Sequence, residues 1–395
     1  MLQNNISFPI RSKLFLSILI CTIFLSSCSK KTIESSGKNE TVSDSENKAC
    51  CDNKPSRFGA GGSNDSGSNQ PGELQQSSGD KVTESKEGMV WIPDGEFMMG
   101  TNDDDAYAPE KPEHPVKVDG FWMDVTEVTN ADFQKFVKAT GYITVAEKVP
   151  DWDELKKQLP PGTPRPDPKD LVPASLVYIQ PMNKVTNTQD VSQWWNWVPG
   201  AYWKHPEGPG SNINDRMNYP VVHIAYEDAL AYCNWAGMRL PTEAEWEFAA
   251  RNCMNQKRYA WGDELRPGGK LMANIWQGVF PDENKKEDGY AGVSPVKSFE
   301  KNCYGLYDMI GNVWEWTSDW YYSQEYMRMP RDKVTSNPKG PDKSFDIEDR
   351  YSIKRVVKGG SFLCSENYCV NYRPSARRGQ AYDSGTSNIG FRCVK

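Results

Sequence analysis

Apolar positions along this chain come in short pieces, and their spacing predicts where regular elements lie. Met89-Val90-Trp91-Ile92 and Phe97-Met98-Met99 flank a Pro93-Asp94-Gly95 turn and read as a hairpin ending at Gly100. Behind a Thr129/Asn130 cap, Phe133, Phe136 and Val137 recur at helical spacing, which predicts a helix from Asn130 to Lys138. A second helix is expected from Glu227 to Trp235, stopped by Gly237. A third begins at Pro241-Thr242-Glu243-Ala244-Glu245, where Thr242 and Glu245 have capping-box spacing. Its Trp246 and Ala249 or Ala250 should face inward. Residues 146–193 are rich in Pro, Lys and Asp and read as a surface insertion. The remainder reads as short strands joined by long ordered loops.

Upstream the pattern is different. Arg11 and Lys13 precede the apolar run Leu14–Leu25, which has the length of a signal h-region and is short for a membrane span. The run ends in Leu25-Ser26-Ser27-Cys28. This is similar to a bacterial lipobox, so residues 1–27 are expected to be a cleaved signal and Cys28 a lipidated N-terminus. Residues 28–87 follow, rich in Ser, Gly, Asn and Asp, with Ile33, Val42, Phe58, Leu74 and Val82 as the bulky apolar residues. So little apolar area does not offset chain entropy, and a disordered tether is expected. Such a tether reaches roughly 40–45 Å. Cys50 and Cys51 lie in it with no role that sequence assigns. No comparable tract follows, so residues 88–395 read as one domain without internal repeats.

Composition narrows the classes of function. Lys+Arg total 46 against 53 Asp+Glu, a net charge of −7, which argues against a general nucleic-acid binder. The three histidines, His114, His205 and His223, are too far apart for a local zinc motif. Ten cysteines are ordinary for an exported protein. With 14 Trp, 18 Tyr, 14 Phe, 31 Gly and 27 Pro, large rings should supply the core of a loop-rich fold.

The chemistry concentrates near the C-terminus. In Gly359-Gly360-Ser361-Phe362-Leu363-Cys364 and Tyr368-Cys369, two cysteines stand five apart. They can close a small disulfide loop, form a redox pair, or hold a soft metal. Thiolates favour Cu(I) and zinc. Few histidines and no further local cysteine argue against a closed four-ligand zinc site, whereas two thiolates with an open position suit linear Cu(I).

These residues resemble the formylglycine-generating enzymes, or sulfatase-modifying factors, and the resemblance runs from about Met89 to Cys393. It is carried by Met89–Phe97 with Met99-Gly100-Thr101, Glu127-Val128-Thr129-Asn130, Trp203–Gly208, Pro220–Ile224, Ala231–Gly237, Arg239–Glu247, Gly305–Trp316 and Gly390-Phe391-Arg392. The segment from Gly359 to Cys369 is its specific part. The resemblance implies an α+β, C-type-lectin-like fold with little regular secondary structure. It also implies oxidation, with O2 as co-substrate, of the cysteine in a sulfatase Cys-x-Pro-x-Arg segment to Cα-formylglycine. Cys364 and Cys369 would hold Cu(I), Ser361 and Trp314 would form the O2 pocket, and Arg377 and Tyr368 would contact substrate. Calcium is implied at Asn274, Ile275, Asp288 and Tyr290, and again at Asp308, Gly311, Val313 and Glu315, with Ile275, Tyr290, Gly311 and Val313 acting through carbonyls. A Cys233–Cys393 disulfide is implied too, leaving Cys253 and Cys303 as a plausible pair. Ser365-Glu366-Asn367 departs from the family pattern, which puts contacts beyond the copper ligands in doubt.

The leading expectation is therefore a lipid-anchored cell-envelope oxidase, periplasm-facing or on the cell surface. Its partners would be an extended sulfatase segment and, through the lipid, a membrane, with no nucleic acid. The runner-up is a non-catalytic envelope scaffold of the same fold, which has no need of the Cys364/Cys369 pair. An iron-dependent sulfoxide synthase would need a histidine cluster, and glycan binding would rest on fold analogy alone.

Overall fold

The first two strands do not pair with each other. In the computed structural model, which describes residues 87–395 apart from 189, 252, 253 and 255, β1 (Met89–Ile92) pairs antiparallel with β4 (Phe121–Asp124). β2 (Gly95–Met99) pairs antiparallel with β3 (His114–Val118). The expected local hairpin is thus replaced by one long two-stranded ribbon. It bends where Pro93-Asp94 faces Asp119-Gly120. Proline offers no N–H to a ladder, so the ribbon breaks there into two sheets. Opposite it, the Trp91 ring lies over Gly120, where a Cβ would stand 2.4 Å from the ring.

The three predicted helices form. The first, α1, is Asn130–Thr140, with the Thr129 hydroxyl accepting from the Asp132 N–H at 3.2 Å. It runs past Lys138 and stops at Gly141, whose φ of 69° suits glycine. Phe133 and Phe136 are its buried face. The second, α2, is Tyr226–Trp235, begun by the Asp228 carboxylate accepting from the Ala225 N–H at 2.9 Å. In α3 (Glu243–Ala250) Thr242 and Glu245 cap one another, and Trp246, Ala249 and Ala250 are all buried.

A four-stranded sheet in the order β10-β9-β7-β11 carries the site. Its members are β7 (Trp314–Trp320), β9 (Lys354–Lys358), β10 (Arg377–Ala381) and β11 (Ile389–Gly390). β8 (Thr335–Ser336) joins β3 in parallel, and β5 (Ala174–Tyr178) pairs with β6 (Trp195–Pro199). Residues 146–193, expected as a surface insertion, contribute instead to a second hydrophobic core. Leu176, Val185 and Val191 pack there with Trp194, Trp276, Phe280, Phe362 and Leu363. The apolar residues of this segment are diluted among Pro, Lys and Asp, so no periodicity announced them.

Cys233 and Cys393 are disulfide-bonded, with Cα atoms 6.2 Å apart, tying α2 to the end of the chain. Cys303 is also disulfide-bonded. Cys253 lies outside the described residues, as do the proposed signal, Cys28, Cys50, Cys51 and the tether.

Candidate functional site

The site is built by a sharp turn after β9. Gly359 and Gly360 have φ of 91° and 75°. A Cβ at Gly360 would lie 2.8 Å from the Asn371 carbonyl oxygen, so the chain turns under the loop at Asn371 where only glycine fits. The next residues fold back on themselves: the Cys364 N–H donates to the Ser361 carbonyl at 2.9 Å, and the Cys369 N–H to the Ser365 carbonyl at 3.1 Å. The loop thereby brings the Cys369 sulfur to 3.2 Å from that of Cys364, with both thiols free. Cys364 is fully buried and Cys369 partly exposed.

The residues that depart from the family pattern brace this loop. Asn367 accepts from the Phe280 N–H at 3.1 Å and donates to the Phe280 carbonyl at 3.2 Å, while Ser365 donates to Asn367 at 3.0 Å. Tyr368 stacks on Phe280 with centroids 4.6 Å apart.

Both sulfurs open onto a cavity walled by Trp194, Trp195, Phe280, Trp314, Leu363 and Tyr368. Ser361 is fully buried at its floor, and its oxygen accepts from the Asn388 side chain at 3.0 Å and the Leu363 N–H at 3.3 Å. With two N–H donors on that oxygen, the hydroxyl hydrogen is what Ser361 can offer to a molecule in the cavity. The Ser361 N–H points at the Cys364 sulfur, 3.4 Å away. Burial pushes the Cys364 thiol well above its usual range, and the Cys369 thiol beside it adds to the effect. Its hydrogen bond with Cys364 holds the Cys369 thiol below its usual range, helped by the Arg378 charge. Two soft sulfurs this close, one buried and one reachable, are a donor set that fits Cu(I).

Cys364, Cys369, Ser361, Trp314 and Tyr368 thus meet at one cavity, and Arg377 does not. Arg377 is buried on the other face of β10, where Nε and Nη2 pair with the two Glu243 oxygens at 2.6 and 2.9 Å. The residue on the cavity is its neighbour Arg378. A single step along a strand reverses the face, so a groove arginine one position out becomes a structural ion pair. Sequence reasoning also missed Asn388, Gln380 and the Trp194-Trp195 pair. That pair was visible as a run of large rings at the edge of the supposed insertion.

The two expected calcium sets fare differently. In the first, the Ile275 carbonyl and Asp288 Oδ2 converge on the Gln277 side-chain amide, at 2.8 Å for Asp288. Asn274 turns its nitrogen to Gly292 and Asn312, which leaves its oxygen as the available donor. The Ile275 and Asp288 oxygens thus meet at one point, which the Gln277 nitrogen fills, and the other Asp288 oxygen accepts from the Tyr290 N–H at 2.9 Å. In the second set Glu315 is taken: Arg392 binds both its oxygens at 2.7 Å, and the Trp246 indole adds a bond at 2.8 Å. Glu315 alternates with Trp314 and Trp316 along β7, so its side chain faces away from them and meets Arg392. Asp308 Oδ1 and Glu127 Oε2 are among the buried oxygens without a hydrogen-bond partner. Burial raises both carboxyls, Asp308 to about 6, and the Glu315 charge adds to each. Gly311 is held by its N–H to the Gly359 carbonyl at 3.0 Å, between this region and the thiol turn.

An α+β domain of small sheets and long loops, with an unbonded thiol pair at an aromatic cavity, defines a class of dithiol-site proteins. The model of the sulfatase-modifying factor enzyme 1-like domain matches residues 75–395, and the chain belongs to the formylglycine-generating enzyme family, whose C-type-lectin-like fold it has. It is 46% identical over 314 residues to the formylglycine-generating enzyme of Thermomonospora curvata, covering 79% of this chain and 94% of that protein. Identity to the formylglycine-generating enzyme of Mycobacterium tuberculosis is 47% over 306 residues, 78% and 97% of the two chains. For the mouse formylglycine-generating enzyme it is 45% over 307 residues, 78% and 74%.

Proposed function

We propose that this protein is a copper-dependent oxidase that converts the cysteine of a sulfatase Cys-x-Pro-x-Arg segment to Cα-formylglycine with O2. The observation that carries the reading is the pair of free thiols, 3.2 Å apart, lining an aromatic cavity. Similarity to three formylglycine-generating enzymes over more than three-quarters of the chain supports the same reaction. Cu(I) held by Cys364 and Cys369 would supply the activation of O2. The protein's own groups do the rest. The rings of Trp194, Trp314 and Phe280 exclude water, Ser361 offers a hydroxyl hydrogen beside Cys364, and Tyr368 forms part of the rim met by an extended peptide. In balance, the substrate CH2–SH and O2, with two equivalents of an external thiol, give an aldehyde, hydrogen sulfide, water and a disulfide. A scaffold of the same fold would have no use for unbonded thiols at this position.

The test is incubation of the purified chain with a Cys-x-Pro-x-Arg peptide, Cu(I), a thiol reductant and O2, followed by mass spectrometry. Aldehyde formation that needs copper is expected. Its absence with fully loaded protein would remove the assignment.

Calcium belongs to the same reading as a structural clip. One ion would take Asn274, Ile275, Asp288 and Tyr290. A second would take Asp308 and the Gly311 and Val313 carbonyls, with Glu127 in place of Glu315. Chelation should lower the melting temperature before copper binding changes, and the double change Glu127→Gln, Asp308→Asn should remove one equivalent by elemental analysis. Unchanged melting with no calcium found would sink this part.

Placement in the cell envelope through a lipid on Cys28 rests on the Leu-Ser-Ser-Cys sequence behind an apolar run. Cys28→Ala should free the protein from the membrane fraction, and normal retention would contradict it.

A further inference from the structure

Among the described residues that line the thiol cavity, Arg378 is the only charged one. Strand geometry puts it there. Arg378 stands opposite Val357 in the β9–β10 ladder, and Val357 lines the same cavity. The Arg378 guanidinium lies over the Tyr107 ring, 4.1 Å from its centroid, which props the side chain in place. The other polar groups on the cavity, Ser361, Asn371, Gln380 and Asn388, are neutral. Glu110 is bound by Arg373 at 2.9 Å and Ser375 at 3.0 Å, and Glu243 by Arg377.

Charge counting gives the arginine a task, and the argument rests on the function proposed above. Two thiolates around one monovalent cation carry a net single negative charge. A substrate cysteine entering as a thiolate raises it to two. An aromatic-walled cavity solvates neither charge well, so an uncompensated anion there is costly. A guanidinium stays charged at any working pH and stacks on a ring, which an ammonium does less well.

We propose that Arg378 is the counter-charge of this cavity, a positioning residue that makes it select a substrate sulfur in its anionic form. The entering group it favours is a cysteine thiolate within an extended peptide. A serine at the same position stays neutral and gains nothing from the arginine.

The experiment compares the wild-type full chain, loaded with Cu(I), with Arg378→Gln and Arg378→Lys. Anaerobic calorimetry measures binding of a Cys-x-Pro-x-Arg peptide and of its serine analogue, so no turnover occurs. In Arg378→Gln the cysteine peptide should bind about tenfold or more weakly, the scale of a charge-assisted contact. Serine-peptide affinity should stay within about twofold, and lysine should restore part of the difference. Equal weakening of both peptides would show that Arg378 only shapes the groove, and unchanged cysteine-peptide binding would show that it does nothing for substrate; either overturns the proposal. A wild type that binds and oxidises the peptide while Arg378→Gln behaves alike refutes the counter-charge alone. A wild type that neither binds nor oxidises it refutes the oxidase reading, and the counter-charge falls with it.

Discussion

The two faces of the β9–β10 ladder use charge in opposite ways. On one face, Arg377 and Lys358 stand opposite each other and both reach acids of α3: Arg377 pairs with Glu243, and Lys358 lies 2.8 Å from Glu247. Arg251 adds a second cation to Glu247 at 2.6 Å. These are buried charges with nearby opposite partners, and they hold the helix to the sheet. On the other face, Arg378 and Val357 look into a cavity of rings and thiols. In the proposal above, that charge has a substrate sulfur to meet. Neighbouring arginines in one strand thus lie on opposite faces, one in a buried ion pair and one on the cavity, and the alternation of the strand is what separates them.

That contrast can be broken at either face. The largest effect is expected at the thiols. Cys369→Ser should reduce turnover at least about a thousandfold, because the thiol pair acts as a unit and a hard hydroxyl holds Cu(I) poorly. Unfolding free energy should move by only about 0.5 kcal/mol, as Cys369 is partly exposed and unbonded. Large destabilisation with copper binding retained would return the pair to a structural role.

On the charged face the outcome should be reversed. Arg377→Met leaves Glu243 buried without its main partner and should cost about 3–5 kcal/mol in denaturant unfolding. The KM for the peptide, measured on the protein that remains folded, should not change. A raised KM with normal stability would put Arg377 back at the groove.

The smallest effect is a slope with pH. Burial raises the Asp319 carboxyl to about 7 from an ordinary value of 3.8, with Glu243 adding to it. Between those values the folded protein holds a proton that the unfolded chain has released, so stability falls as pH rises through that window. Asp319→Asn should flatten this fall by about 1 kcal/mol per pH unit or less. Glu247 works in the opposite sense. Burial alone would raise its carboxyl, but Lys358 and Arg251 outweigh burial and hold it at about 2. Its contribution is present above the ordinary value of 4.5 and is lost as pH falls toward about 2. A stability profile in which Asp319→Asn changes nothing between pH 4 and pH 7 would contradict the buried, protonated state.

Local signals in the chain were reliable where one short segment decides the outcome. Thr129 with Asp132, and Thr242 with Glu245, cap helices that form where the spacing places them, because capping involves residues three apart. The glycine pair before Ser361 and the two cysteines after it likewise mark the site within a single loop. What the chain could not disclose by itself is which distant strand answers each segment. β1 meets β4 and not β2, since pairing depends on long-range register. Leu176 and Trp194 became cavity support because Trp276, Phe280 and Phe362 arrive from elsewhere to cover them. Arg377 and Glu315 found buried partners in Glu243 and Arg392, more than seventy residues away in sequence, while Arg378 took the position lining the cavity. Residue type and close spacing determined the helices and the thiol pair. The face on which each charge lies was decided by the tertiary structure, because in a sheet one residue of register exchanges the interior for the site.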